Sequence, residues 1–185
     1  VVAALGPASA NAGTLQLDPQ HTSVAFRVRH LFTKVNGQFR KFQGSFQFDE
    51  ASLRLSEVNA AIDVASVDTN VEARDNDLRS KRFFDAEKYP QMTFKSSAPL
   101  TLNGNQGQLQ GLLTIHGVEK EVVLEVEYLG KAKDPWGNLR YGFHAATTIN
   151  RKDFGMKWNE ILETGGVLVG DEVEVVLDIE AVPAT

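Results

Sequence analysis

Four histidines, His21, His30, His116 and His144, are the side chains best suited to acid–base or metal chemistry in a chain that has no cysteine. If residues 21 to 30 form one unbroken strand, His21 and His30 differ in parity and point to opposite faces, where they cannot share an ion. His116 directly precedes Gly117 at an expected turn, and His144 lies between the apolar Phe143 and Ala145, a parity that turns it towards water. No HExxH pair, no histidine pair at helical spacing and no carboxylate run resembling a calcium loop occurs. Nucleophile elbows, Walker loops and dinucleotide fingerprints are also absent. Gly165-Gly166 and Gly170 flank the apolar Val167-Leu168-Val169, which reads as turns and not as a phosphate cradle. The expectation is a chain with no catalytic residue, no metal ligand and no cofactor.

What the chain has in quantity is apolar surface at every second residue, the signature of half-buried antiparallel strands. Val24, Phe26 and Val28 alternate with Ser23, Arg27 and Arg29. Phe42, Gly44, Phe46 and Phe48 follow, then Val58, Ala60, Ile62 and Val64. Leu31 to Gly37 reads as a break without definite form. Met92 and Phe94 open a strand that Pro99 divides, and Leu109, Gly111, Leu113 and Ile115 lead through a turn at Gly117-Val118 into Val122, Leu124 and Val126. Tyr141, Phe143, Ala145, Thr147 and Ile149 form another face, and Val173, Val175, Leu177 and Ile179 the last. About eight strands with one wet face must pack as two sheets or close into a barrel. Periodicity alone leaves both open, and with them a solid core or a hollow one.

One segment departs from strand and turn. From Asn70 to Arg82 the chain is polar, with Asn70 placed to cap a helix, Glu72 at its positive end and Asp75 four residues before Arg79 in the order that favours a surface ion pair. It ends on Phe83-Phe84, and Tyr89-Pro90 returns the chain to extended form. A polar helix ending in paired aromatics suggests a lid; a crossover helix with two core aromatics is the plainer alternative.

The run from Val67-Asp68-Thr69-Asn70 through Arg74-Asp75, Leu78-Arg79-Ser80 and Phe83-Phe84-Asp85 to Met92-Thr93-Phe94 resembles the YceI-like, polyisoprenoid-binding family. Three further stretches agree in the family's order. They are Asp18 to His30, Leu113-Thr114-Ile115-His116-Gly117-Val118, and Asn150-Arg151 with Asp153-Phe154-Gly155. The resemblance spans nearly all of Leu15 to Val182. It implies an all-β fold, an eight-stranded antiparallel lipocalin-like barrel with one short helix near an opening, and a long-chain isoprenoid ligand such as ubiquinone or a polyprenyl phosphate. The residues expected to line its channel are Phe26, Val28, His30, Phe46, Ile62 and Phe94 on the earlier strands and Leu113, Ile115 and Phe143 on the later ones. Phe83 and Phe84 on the lid join them, as do Phe154, Met156 and Trp158 in a loop. Ala60, Gly111 and Ala145 are where space is expected. Arg79, Arg82, Asn150 and Arg151, with His30, are the headgroup candidates. Two rival readings are an enzyme acting on such a lipid with His30 or His116 as base, and an interaction module with a solid core.

With 185 residues, 42% of them hydrophobic and 23% charged, the chain can bury one sizeable core. The net charge of -5 without a basic stripe argues against nucleic acid as a partner. Transient contact with a membrane or membrane protein, and a homodimer, remain open. Residues 1–12 read as a residual signal-peptide tail or flexible arm ahead of one domain over 13–185, since Ala10-Asn11-Ala12 has the pattern of a signal peptidase site. A periplasmic or secreted location is the expectation that follows.

Overall fold

The computed structural model describes residues 13–185, so the expectation for residues 1–12 lies outside the described residues. The strands are β1 (Gly13–Leu17), β2 (Ser23–His30), β3 (Thr33–Phe39), β4 (Phe42–Asp49), β5 (Arg54–Asp63) and β6 (Val67–Asp68). The helix α1 (Glu72–Arg79) follows, then β7 (Gln91–Ser96), β8 (Leu100–Thr101), β9 (Gln106–Ile115), β10 (Val118–Lys133), β11 (Leu139–Asn150) and β12 (Val169–Pro183). Every strand pairing is antiparallel.

Twelve segments make eight staves, because the early strands are broken in pairs. β1 and β2 both run along β12, β1 at its end (Leu17↔Ala181) and β2 further back (Val175↔Phe26). β3 and β4 bend between Phe39 and Phe42, and β5 continues into β6 through a 3-10 turn at Val64–Ser66. Each stave pairs with its neighbour in sequence, and β12 pairing with β1 closes the ring. Closure leaves no open edge.

The break between β1 and β2 is held by side chains. The Thr22 hydroxyl donates to the Glu180 carbonyl at 3.0 Å and accepts from the Glu180 amide at 3.2 Å, meeting the backbone groups the break leaves free. Arg140 reaches Asp18, Glu180 at 3.3 Å and Asp134 at 3.2 Å, tying that corner to β11. Burial pushes the Asp18 carboxyl up, but hydrogen bonds from Arg140, His21 and the Gln20 amide outweigh it and hold Asp18 at about 2.

Two local features differ from the sequence reading. Leu31 to Gly37 is not a break. Leu31-Phe32 is a two-residue turn and Thr33–Phe39 is strand, with Gly37 opposite Phe26. A Cβ on Gly37 would lie 2.3 Å from the Phe26 ring, so the glycine seats an aromatic from the next strand. The turn joining β9 to β10 is His116-Gly117, both at positive φ, as a two-residue hairpin of this hand requires.

The interior divides along the axis. At the end holding the β10–β11 hairpin, Phe48, Tyr128 and Phe143 stack with centroids 4.8 to 5.2 Å apart above Leu15, Leu55 and Leu102 and fill the barrel. The Tyr128 hydroxyl is buried there without a hydrogen-bond partner among the described residues. Burial, with smaller contributions from Glu50 and Tyr141, pushes it up to about 12.

Candidate functional site

Above the aromatic plug the barrel is hollow. Val28, Val35, Ile62, Leu113, Val122, Ile149, Val173 and Val175 all line the space, yet stay only half-buried. Close-packed interiors leave few voids larger than a water molecule, so apolar wall residues that stay open to solvent mark a true cavity. Its volume is about 750 Å³. Phe46, Leu109 and Phe143 belong to its inner end, next to the plug. Exposed Arg29, His30, Val71 and Ala73 are at the other end, so the cavity opens beside α1. A second pocket of about 460 Å³ at the plugged end is walled by Thr14, Asp49, Glu50, Lys131 and Tyr141, and an ion pair of 2.8 Å between Glu50 and Lys131 spans it.

α1 is shorter than the sequence predicts and is fastened differently. Asn70 does not cap it: Asn70 is left-handed, at φ 64, and the residue at the cap position is Val71. Asp75 and Arg79 form no ion pair. Asp75 is buried and accepts from the Thr69 amide at 2.8 Å and the Thr69 hydroxyl at 2.6 Å, while Arg74 donates to the Thr69 hydroxyl at 2.7 Å and carbonyl at 2.7 Å. Arg79 donates to the Ala65 carbonyl at 2.8 Å and the Val67 carbonyl at 3.2 Å. These bonds fix the start and end of the helix to the barrel rim. Beyond it, Phe84 meets Phe39 edge-on at 5.7 Å, Phe83 meets Trp158 at 5.3 Å, and both phenylalanines line the mouth.

The turn after β11 is built from one short motif. Asn150 accepts from the Lys152 amide at 2.9 Å, starting a 3-10 turn over Arg151–Phe154 that Gly155 ends at φ 79. Arg151, 4% exposed, donates to the carbonyls of Gly170, Met156 and Trp158, each at 2.8 Å. Burial pulls its guanidinium below the usual value and the Asp171 charge opposes that. Arg151 thus pins Met156 and Trp158 to the cavity wall.

Of the residues expected to line a channel, Phe26, Val28, His30, Phe46, Ile62 and Phe94 do so. Leu113, Ile115, Phe143, Met156 and Trp158 do so too. Phe154 does not: at 2% exposure it is a packing anchor behind the wall, and its carbonyl is 3.2 Å from His116 Nδ1. Arg79 and Asn150 are spent on backbone and do not reach the cavity, and Arg82 lies outside it, 4.1 Å over the Trp158 ring. Arg151 reaches the cavity; its Nη2 makes no hydrogen bond but lies 3.7 Å from the Asp171 carboxylate. Gly111 leaves no room, because the Phe94 ring fills the place of its absent Cβ at 2.3 Å; Ala60 and Ala145 do line the space. The sequence reading missed Arg74 and Asp77 on the cavity face of α1, and Val173, Val175, Leu177 and Ile179. The alternation of that last strand was the signal available for the latter four.

His116 packs on Tyr89 at 4.7 Å and does not line the cavity. His30 lines it, and its side chain bonds to no other described residue. Among the described residues one cluster, Asp18, His21 and Glu180, has metal-binding spacing, but the Arg140 guanidinium bridges its two carboxylates.

A closed eight-stranded antiparallel barrel with one short helix over the mouth of an apolar interior is a lipocalin-like architecture. The sequence model of the YceI-like domain matches residues 15–181, and the chain belongs to that family. A UPF0312 protein of Photorhabdus laumondii is 42% identical over 156 residues, covering 83% of this chain and 81% of its own. Among solved structures, Burkholderia cenocepacia BcnA superposes with a TM-score of 0.76 at 29% identity, over 91% of this chain and 99% of that one. A polyisoprenoid binding domain from Saccharophagus degradans, implicated in plant cell wall breakdown, shares the fold with a TM-score of 0.66 at 17% identity, over 92% and 98% of the two chains.

Proposed function

We propose that this protein binds a long-chain isoprenoid lipid of the quinone or polyprenyl phosphate class, tail inward, and carries or stores it in the periplasm or outside the cell. The observation that carries this reading is the apolar cavity of about 750 Å³, which is stopped by the aromatic plug, opens beside α1 and has charged groups only near that opening. The Saccharophagus domain that shares the fold is described as polyisoprenoid binding, which supports the ligand class. Burial of about 40 tail carbons at ~0.8 kcal/mol each would approach ~30 kcal/mol, beyond the ceiling of about 18–21 kcal/mol for non-covalent binding. Volume gives the same limit. At the ~30 Å³ share of a liquid water molecule, the cavity holds roughly 25 groups, or about five isoprene units. A longer tail leaves its remainder at the mouth.

Selectivity for the headgroup then falls to Arg29, His30, Arg74 and Asp77 at the opening, with Arg151 Nη2 nearby. No catalytic role is proposed. The test is mass spectrometry of an organic extract of protein from its native source, followed by titration of delipidated protein with a quinone and a polyprenyl phosphate. An isoprenoid in the extract that rebinds chemically unchanged supports the carrier. An altered product after incubation supports an enzyme acting on the lipid, and an empty extract with no titration signal defeats both.

A further inference from the structure

Beneath the cavity the barrel is stopped by a layer of side chains one step deep. On β11 the inward residues Ile149, Thr147, Ala145 and Phe143 line the cavity, and the next inward residue, Tyr141, lines the second pocket. On β4 the change falls between Phe46 and Phe48, and on β1 between Leu17 and Leu15. Successive inward residues of a strand are two apart, a rise of about 7 Å. Three strands therefore pass from one space to the other in a single step.

What stands in that step is aromatic. Phe143 meets Phe46 edge-on at 5.3 Å, Phe48 edge-on at 5.2 Å and Tyr128 at 5.0 Å. Leu55, paired with Phe48 across β4 and β5, already lines the cavity. Two touching rings, Phe143 on the cavity side and Phe48 on the side of the second pocket, thus span the barrier. The surroundings change across it. The cavity floor is apolar, whereas Asp49, Glu50 and Lys131 wall the space beyond. A prenyl tail gains by leaving water for apolar surface, so its end comes to rest on the Phe143 ring.

We propose that Phe143, backed by Phe48, sets the length of tail that the barrel takes up. Within the isoprenoid reading above, on which this rests, the tail enters until its end meets the Phe143 ring, with about five units inside. The second pocket, of about 460 Å³, is the space the two rings withhold. At ~30 Å³ per group it would take roughly 15 more groups, or about three isoprene units. Tails longer than the cavity are bound no more tightly than the tail that fills it.

The test is titration of delipidated protein with prenyl quinones and polyprenyl phosphates whose tails grow from about two to about ten isoprene units. In wild type each added unit should raise affinity by about tenfold or more up to about five units, and by little beyond. Phe143→Ala removes a ring about the size of one unit, so a tail of about six units should then bind about tenfold tighter than one of about five. Adding Phe48→Ala joins the two spaces and should carry the rise to about eight units. Ala145→Phe puts a ring one inward step above the floor and should end the rise at about four units. It keeps the plug intact, so it carries the test where Phe143→Ala fails to fold. Long tails self-associate in water whichever variant is present, so the position of the break is compared between variants. Failure of every tail to bind wild type would defeat the isoprenoid reading and this inference with it. Binding with the break unmoved in both Phe143→Ala and Ala145→Phe, or wild-type affinity that climbs steadily to about ten units, would overturn the length limit and leave the isoprenoid reading standing.

Discussion

Val175→Trp tests whether the interior is a binding channel. Val175 is central on β12, paired with Phe26 on one side and Thr147 on the other, and it lines the cavity while only half-buried. Tryptophan adds about seven non-hydrogen atoms, which must enter either the cavity or the packed wall. If they enter the cavity they displace a similar number of tail carbons. At ~0.8 kcal/mol per buried CH₂-sized group that is up to ~5 kcal/mol of transfer energy. Allowing half to be recovered by rerouting the tail leaves ~2.5 kcal/mol, close to a hundredfold loss of affinity. The empty protein should melt within about 2 °C of wild type, since the ring fills existing space. If the interior is instead close-packed, the ring costs about 1–3 kcal/mol, and at ~2–4 °C per kcal/mol for a chain of this size the melting temperature falls clearly. Thermal melts of delipidated protein and a prenyl titration, on wild type and variant, separate the two. A depressed melting temperature with affinity retained would refute the channel. Ile115→Trp serves as a contrast. Ile115 is 5% exposed and wedged among Met92, Phe154 and Met156, so there the stability loss is expected.

Three further outcomes are expected. Replacing Phe83 and Phe84 together with alanine should speed ligand release by about tenfold or more in stopped-flow displacement, with the strand signal in circular dichroism kept, because both rings stand at the mouth on Trp158 and Phe39; collapse of the fold would make them core residues instead of a lid. Tyr128→Phe removes a buried hydroxyl without a described partner, so stability should hold or rise by up to about 1 kcal/mol in urea titration; a clear loss would show that the hydroxyl is satisfied. Asp18 is depressed to about 2, so the charged carboxylate contributes stability that is complete above about pH 4 and declines as pH falls towards 2. Asp18→Asn should flatten that part of the acid unfolding curve, and an unaltered curve would count against the Arg140 tie.

The staves were legible because a barrel that is greasy inside and wet outside writes its geometry as period two. β9 to β12 show it, interrupted only at Tyr128–Gly130 and Val169–Val173, with His144 facing Asp178 across the outer surface at 2.8 Å. β3 was not legible, since one of its three inward positions is Gly37, whose role is to seat the Phe26 ring and which adds no apolar signal of its own. The same substitution of space by a neighbour's ring made Gly111 look like room for a ligand. The polar site residues failed for a related reason. From sequence, Asp75 reads as a surface partner of Arg79, and Arg79, Asn150 and Arg151 as headgroup chemistry, because charged and amide side chains usually meet water or ligand. Here Asp75 and Arg151 are buried, and Asp75, Arg79, Asn150 and Arg151 satisfy backbone amides and carbonyls freed at the helix start, the rim and the β11 turn, bonds that depend on which segments meet in space. Those bonds also have a consequence for function. With its start fastened by the buried Thr69–Asp75 bonds and its end by Arg79 on the Ala65 and Val67 carbonyls, α1 is bound to the rim by side-chain hydrogen bonds, whereas the Phe83–Phe84 corner meets the wall through two edge-on ring contacts and its amides bond back only to Ser80 and Leu78. Opening at the mouth should therefore begin at that corner, with α1 itself staying in place.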